Sequence, residues 1–229
     1  MARATKAVNA GGSRRYDNRQ REARAQQTRG RVIDAARGLL VDRGYADTTI
    51  KAVAEVAGVS PETVYKHFGG KAGLVKAMWD ATVTGDLDPV PIAARPDVLA
   101  IGAEPDPATK LRMYAALAAG VFGRLGPLMA AIRGATASDP ELTDLAATLD
   151  HERLVGTGIL AGHLADVDAL RPDLDRDRAR DLIWTYIAPE LYLLLVHDRG
   201  WSPEEHEKWL ADVLISSLLP QPAPSSRRR

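Results

Sequence analysis

Residues 48–71 read TTIKAVAEVAGVSPETVYKHFGGK, two short helical patterns separated by a glycine. In the first, Ile50, Val53, Ala54 and Ala57 recur at i, i+3, i+4 and i+7, the spacing of one buried helix face. Thr48 or Thr49 can supply an N-cap oxygen for the orphan amides of its first turn. Gly58 stands where the chain must leave that helix, a place that favours the left-handed conformation glycine adopts without a Cβ clash. The second pattern opens on a full start signal: Ser60 at the N-cap, Pro61 at the first helical position, and Val59 with Val64 as a hydrophobic staple. Val64 and Phe68, one turn apart, pack inward. Glu62, Thr63, Lys66 and His67 then face outward with Tyr65 at the edge. Gly69-Gly70 ends the helix, and Lys71 opens the next.

A helix this short is marginal alone, because nucleation is costly, so it needs a scaffold. Val32, Ile33, Ala36, Leu39 and Leu40 mark an amphipathic helix that ends near Gly44 and supplies one. Together these segments predict a three-helix headpiece in which a tight turn presents the second of two helices, the helix-turn-helix arrangement that reads DNA. An ordinary helical hairpin in a bundle carries the same stripes and caps; charge separates the two. The chain of 229 residues has a formal net charge of zero, with 30 Lys+Arg against 30 Asp+Glu. Residues 1–80 hold 15 basic and 8 acidic residues (+7), and residues 81–229 hold 15 and 22 (−7). A basic first third is the electrostatic footprint of a nucleic-acid-binding module, and the acidic remainder would be repelled by phosphate.

Other classes recede on composition. Without cysteine there is no disulfide frame, thiolate nucleophile or thiolate metal site. The basic start MARATKAVNAGGSRRYDNRQ lacks the apolar stretch of a secretory signal, and no run approaches the 18 apolar residues of a membrane span, so a cytoplasmic protein without a membrane partner is expected. An enzyme would need a constellation of groups. His151-Glu152 and His197-Asp198 are sequence neighbours that point to different helix faces, and His163 with Asp166 offers two ligands where a metal needs more. Neither a phosphate-binding glycine loop nor a nucleophile elbow occurs. No enzymatic activity, cofactor or metal is expected.

The rest of the chain reads as helical, so the expected class is all-α: the headpiece followed by a C-terminal helical bundle. Residues 1–20 read as a disordered basic arm that could add phosphate affinity. The helix-turn-helix domain covers 21–80, the bundle 81–220 and a disordered tail 221–229. Helical patterns cover 72–84, 107–125, 127–133, 139–165 (weakened at Gly156 and Gly158), 175–197 (kinked at Pro189) and 202–219, the last opening on the capping box Ser202-Pro203-Glu204-Glu205. Five prolines between Gly85 and Pro107 predict a loop of more than twenty residues with one short turn near 97–101.

The stretch TTIKAVAEVAGVSPETVYKHFGGKAGL resembles the DNA-binding signature of TetR-family (tetracycline-repressor-like) transcriptional regulators. The likeness is close over residues 24–80 and architectural beyond. Gly69-Gly70-Lys71-Ala72-Gly73 departs from the more polar, helix-friendly run usual there. The resemblance implies that Thr48 and Thr49 hold phosphate at a helix N-terminus, and that Tyr65, His67 and Lys71 contact the DNA backbone. It implies that Ser60, Pro61, Glu62, Thr63 and Lys66 face base edges or neighbouring phosphates. Glu62 can accept from cytosine N4, and as a carboxylate it is equally repelled by phosphate. The resemblance further implies a homodimer built by the last two long helices, with Ile187, Leu191, Leu194, Trp209, Val213 and Leu214 as interface candidates. It implies a small-molecule effector in an apolar pocket, with Met78, Tyr114, Phe122, Met129, His151, Trp184 and Tyr186 as lining candidates. Each of these is also an ordinary core or surface position in a helical bundle. On this reading the protein is a repressor released from a near-palindromic operator by its effector. The alternative is a helical dimeric carrier or interaction module without specific DNA binding.

Overall fold

The computed structural model describes residues 10–88, 90–135 and 139–221, with side chains from residue 20 onward. The described residues are helical with no strand, as the periodicities require. The chain divides into two compact units, residues 1–78 and 79–229.

In the first unit, α1 (Ala10–Asp47) supplies Val32, Ile33, Ala36, Leu39 and Leu40 to a core completed by α2 (Ile50–Ala57) and α3 (Pro61–Phe68). Ile50, Val53, Ala54 and Ala57 of α2 and Val64 and Phe68 of α3 are all buried, the faces read from the sequence. Gly44, at φ 76° and ψ 176°, breaks the helical path of α1 near its end. The expected arm boundary at residue 20 falls inside α1: the helix begins at Ala10, and residues 1–9 lie outside the described residues. The run Arg-Gln-Arg-Glu-Ala-Arg-Ala-Gln-Gln at 19–27 explains the extension, because these are strong helix formers. Two residues, Gly69 and Gly70, separate α3 from the fourth helix, α4 (Lys71–Thr84).

The second unit holds a 3₁₀ turn at Ile92–Ala94 and α5 (Pro96–Ala103), α6 (Pro107–Ile132), α7 (Pro140–Ala165) and α8 (Arg176–Tyr186). It ends with α9 (Pro189–Tyr192), a π-helical stretch at Leu193–Asp198 and α10 (Pro203–Leu218). Four expectations need correction. The loop over 85–107 contains a complete helix, because Pro96 and Pro107 each occupy a first helical position, where proline starts a helix rather than stopping one. Pro127 does not end α6: the amide bond it forfeits lies between buried Leu125, Leu128 and Met129, whose packing holds the helix together. The segment 175–197 is not one helix kinked at Pro189: α8 ends at Tyr186, and Pro189 takes the first position of α9. α7 runs unbroken through Gly156 and Gly158. A Cβ at Gly158 would meet the Arg180 stem at 3.6 Å, and one at Gly162 would meet the Arg176 guanidinium at 2.8 Å, so these positions make room for the arginines of α8.

α6 packs mainly on α10, and α7 on α8. By length and composition α6 could cross a membrane, against the expectation that no segment would, but it buries Leu111, Ala115, Ala119, Phe122 and Leu125 within this unit as a core helix does. The predicted capping box of α10 is complete: Glu205 N–H donates to Ser202 Oγ (3.1 Å), and Ser202 N–H to Glu205 Oε2 (2.7 Å).

Candidate nucleic-acid interface

Thr49, not Thr48, caps α2; its Oγ1 accepts from the Ala52 amide at 3.1 Å. Thr48 is buried, and its hydroxyl donates to the Gly44 carbonyl at 2.8 Å, which ties α2 to the end of α1. Gly58 lies in the left-handed region (φ 65°) and turns the chain toward α3, where Ser60 Oγ accepts from the Thr63 amide at 3.3 Å. Ser60 also lies 3.2 Å from the Thr63 hydroxyl, and its hydrogen bond to Glu62 is the main reason that carboxyl sits below its ordinary pKa.

With Val64 and Phe68 turned into the core, α3 presents Glu62, Tyr65 and Lys66 to solvent, while Pro61, Thr63 and His67 are half-buried. Tyr65 keeps 55% of its surface exposed at the edge of this outer face. Lys71 is anchored: its ammonium donates to the Tyr45 carbonyl and lies 3.7 Å from the centre of the Tyr45 ring. This contact fixes the start of α4 on the end of α1.

Two features of the headpiece have no counterpart among the sequence-based expectations. Arg29 of α1 lies over the Phe68 ring, 5.0 Å from its centre, and braces the far end of α3. Gly73, a departure from the family pattern, allows a close approach: a Cβ there would stand 1.9 Å from the Phe68 carbonyl oxygen. The first turn of α4 therefore runs against the last residue of α3, and only glycine fits. Sequence could have raised Arg29 from its basic setting; the Gly73 contact depends on backbone placement.

In the second unit the lining candidates separate. Tyr114, Trp184 and the neighbouring Arg153 gather: Arg153 lies 4.4 Å from the Trp184 ring centre, bonds the Trp184 carbonyl and pairs with Asp150 at 2.8 Å. Burial raises the Tyr114 phenol well above its usual pKa, with the Arg153 charge pulling the other way, yet the residue keeps part of its surface accessible. Phe122 is buried against Tyr192 (5.6 Å between ring centres) and His206 (6.3 Å). Met129 is buried, Tyr186 accepts from Ser217 Oγ at 3.3 Å, and His151 is exposed. Met78 is buried in the first unit. Of the interface candidates, Ile187 and Leu214 are buried within the unit, Leu191, Trp209 and Val213 are half-buried, and Leu194 is 44% exposed. Trp201 and Trp209 meet edge to face at 6.3 Å and line an open groove of about 560 Å³ with Glu205, Lys208, Asp212, Val213 and Ser216.

Residues 32–78 match the model described as "Bacterial regulatory proteins, tetR family". The chain is 43% identical over 63 residues to the HTH-type transcriptional regulator TtgR of Pseudomonas putida, an alignment covering 28% of this chain and 30% of TtgR. It thus spans under a third of the length of that curated relative. Among solved structures it is similar to NalD, the secondary repressor of the MexAB-OprM multidrug efflux pump in Pseudomonas aeruginosa, with TM-score 0.61 and 20% identity over 85% of this chain and 98% of that one. It is also similar to a transcriptional regulator from Saccharomonospora viridis solved in complex with choline, with TM-score 0.62 and 18% identity over 85% and 99%. The headpiece of this chain thus resembles the tetR family of bacterial regulatory proteins over residues 32–78, and over most of its length the chain has the fold of these solved structures.

Proposed function

We propose that this protein is a ligand-responsive transcriptional repressor that acts in the cytoplasm, binds a near-palindromic operator as a homodimer and leaves it when a small-molecule effector binds. The observation that carries the reading is the outer face of α3. Glu62, Tyr65 and Lys66 stand exposed on a capped eight-residue helix whose inner face is fixed by Val64 and Phe68, within the stretch that matches the family.

Two such headpieces would enter successive major grooves about 34–36 Å apart. Ser60, Pro61, Glu62, Thr63 and Lys66 would meet base edges or nearby phosphates; Thr49, Tyr65, His67 and Lys71 would hold the backbone and set register. Thr48 would contribute its backbone, since its hydroxyl is engaged internally. The dimer contact would use the apolar surface that the second unit leaves accessible, Leu191, Leu194, Trp209 and Val213, with Ile187 and Leu214 supporting it from beneath. The effector would enter beside Tyr114, Arg153 and Trp184, where a deep phenol retains accessible surface next to a cation and an indole. NalD is the secondary repressor of a multidrug efflux pump, and the Saccharomonospora protein was solved with choline bound. Near-complete release from DNA requires the effector to favour the DNA-incompetent state by about 5 kcal/mol.

The test is selection from a random duplex library at about 150 mM salt, followed by sequencing of the retained pool. A near-palindrome should emerge. With about four charge-neutralising contacts per protomer, the log–log salt slope should be near −7. A pool without enrichment would overturn the repressor reading in favour of a carrier or interaction module.

A further inference from the structure

α1 is far longer than its packing requires. Its first buried residue among those with described side chains is Gly30, and residues 20–27 are all exposed. Eight exposed residues in succession exceed two turns, about 12 Å of helix. The helix continues back to Ala10, about 15 Å further. Between residues 14 and 31 the sequence holds seven arginines against two acidic residues, Asp17 and Glu22.

Arg21, Arg24, Thr28 and Arg31 follow one another at steps of three, four and three, so they form one stripe along the helix. Its inner end lies at the turn before α3: the Arg31 guanidinium comes within 3.8 Å of where a Cβ on Gly58 would stand. Residues 20–27 have no larger apolar side chain than alanine. That absence argues against a lipid surface or a partner helix, both of which need an apolar face.

We propose that the amino-terminal part of α1 is a second DNA-contacting element, an arginine stripe that reaches phosphates of the duplex flanking the operator. The proposal rests on the reading of the headpiece as a DNA binder. A helix delivers its charges at fixed 1.5 Å steps, so Arg21, Arg24 and Arg31 span about 15 Å and can meet several phosphates of one backbone. The stripe would add affinity and lengthen the footprint without adding sequence preference, since phosphate contacts carry none.

The experiment compares the full chain with the double variant Arg21→Gln/Arg24→Gln. Glutamine is a good helix former, and both sites are exposed, so the fold should persist; circular dichroism checks this. The probes are the selected duplex trimmed to its enriched core, the same core with about 10 flanking base pairs on each side, and an unselected duplex. The full chain should bind the flanked duplex about tenfold more tightly than the core. The variant should lose that gain, keep its affinity for the core and show a salt slope shallower by about 3–4, two arginines in each of two protomers. Arg21→Lys/Arg24→Lys should restore the slope. An unchanged slope and an unchanged flank preference in the glutamine variant would overturn the proposal. If no operator is selected, the repressor reading fails, but the slope difference on the unselected duplex still decides the role of the stripe.

Discussion

Two helices of this molecule begin with the same three residues and close their first turns differently. α3 starts Ser60-Pro61-Glu62-Thr63 and α10 starts Ser202-Pro203-Glu204-Glu205. In both, the serine caps the third amide and the proline sits at the first helical position. In α10 the fourth residue is a glutamate that reaches back to the Ser202 amide, so both ends of the capping box are closed. In α3 the corresponding residue is Thr63, too short to return to the Ser60 amide; its hydroxyl stays beside that of Ser60. One start is self-sufficient and belongs to a core helix. The other leaves donors at the surface of the helix proposed to meet DNA. A helix that satisfies all its own polar groups has fewer to offer a ligand.

The sharpest way to break this contrast is to give α3 the first turn of α10. Thr63→Glu should complete the box and preserve or raise the melting temperature. It should also weaken operator binding about a hundredfold, because a second carboxylate beside Glu62 faces phosphate and like charges in contact cost several kcal/mol. Titration of the selected duplex against both proteins measures this, and unchanged affinity would remove the first turn of α3 from the interface. The contrast extends to the far ends of the two helices, since α3 runs within two residues into α4. Gly73→Ala should destabilise the headpiece by about 1–3 kcal/mol, an overpacking cost set by the 1.9 Å approach to the Phe68 carbonyl, as read by urea denaturation. Removing the caps should have a smaller effect. Ser60→Ala and Ser202→Ala should each cost about 1 kcal/mol of stability, but only Ser60→Ala should also lower operator affinity per folded protein.

The smallest expected effect concerns pH. His206, one position beyond the closed box of α10, is buried, and its Nδ1 has no hydrogen-bond partner among the described residues. Burial lowers its pKa, so the unfolded chain takes up the proton more readily than the folded one. Stability is then complete above the ordinary histidine pKa of about 6.5 and declines as pH falls through and below it, by at most about 1.4 kcal/mol per pH unit. Thermal unfolding of His206→Phe at pH 7 and 5.5 should show a smaller decrement than the parent, and equal decrements would assign the acid response to other groups.

The headpiece was legible in sequence because its helices are short and each signal in it is local: a cap, a staple, a left-handed glycine and a four-residue stripe. Thr49, Gly58, Ser60, Val64 and Phe68 could be placed from neighbours within a turn. The contacts that escaped reading depend on distant parts of the chain. Lys71 against Tyr45 spans 26 residues, and Arg153 against Trp184 spans 31. Prolines misled wherever position within the helix decided their effect: Pro96 starts α5, and Pro127 is carried inside α6. Apolar residues of the bundle gave helices but not their partners, since Phe122 at a core contact and Leu194 at the surface look alike in a stripe.

The paired indoles of Trp201 and Trp209 and the indole beneath Arg153 have an optical consequence. Of the four tryptophans, Trp184, Trp201 and Trp209 lie well inside the second unit, and Trp79 stands on α4 at the boundary between the two units. Emission from Trp184, Trp201 and Trp209 therefore reports the bundle, whereas helical ellipticity sums both units; replacing Trp79 by Phe removes the indole at the boundary. A midpoint by emission that departs from the midpoint by ellipticity would show the headpiece melting on its own, without a label on either half.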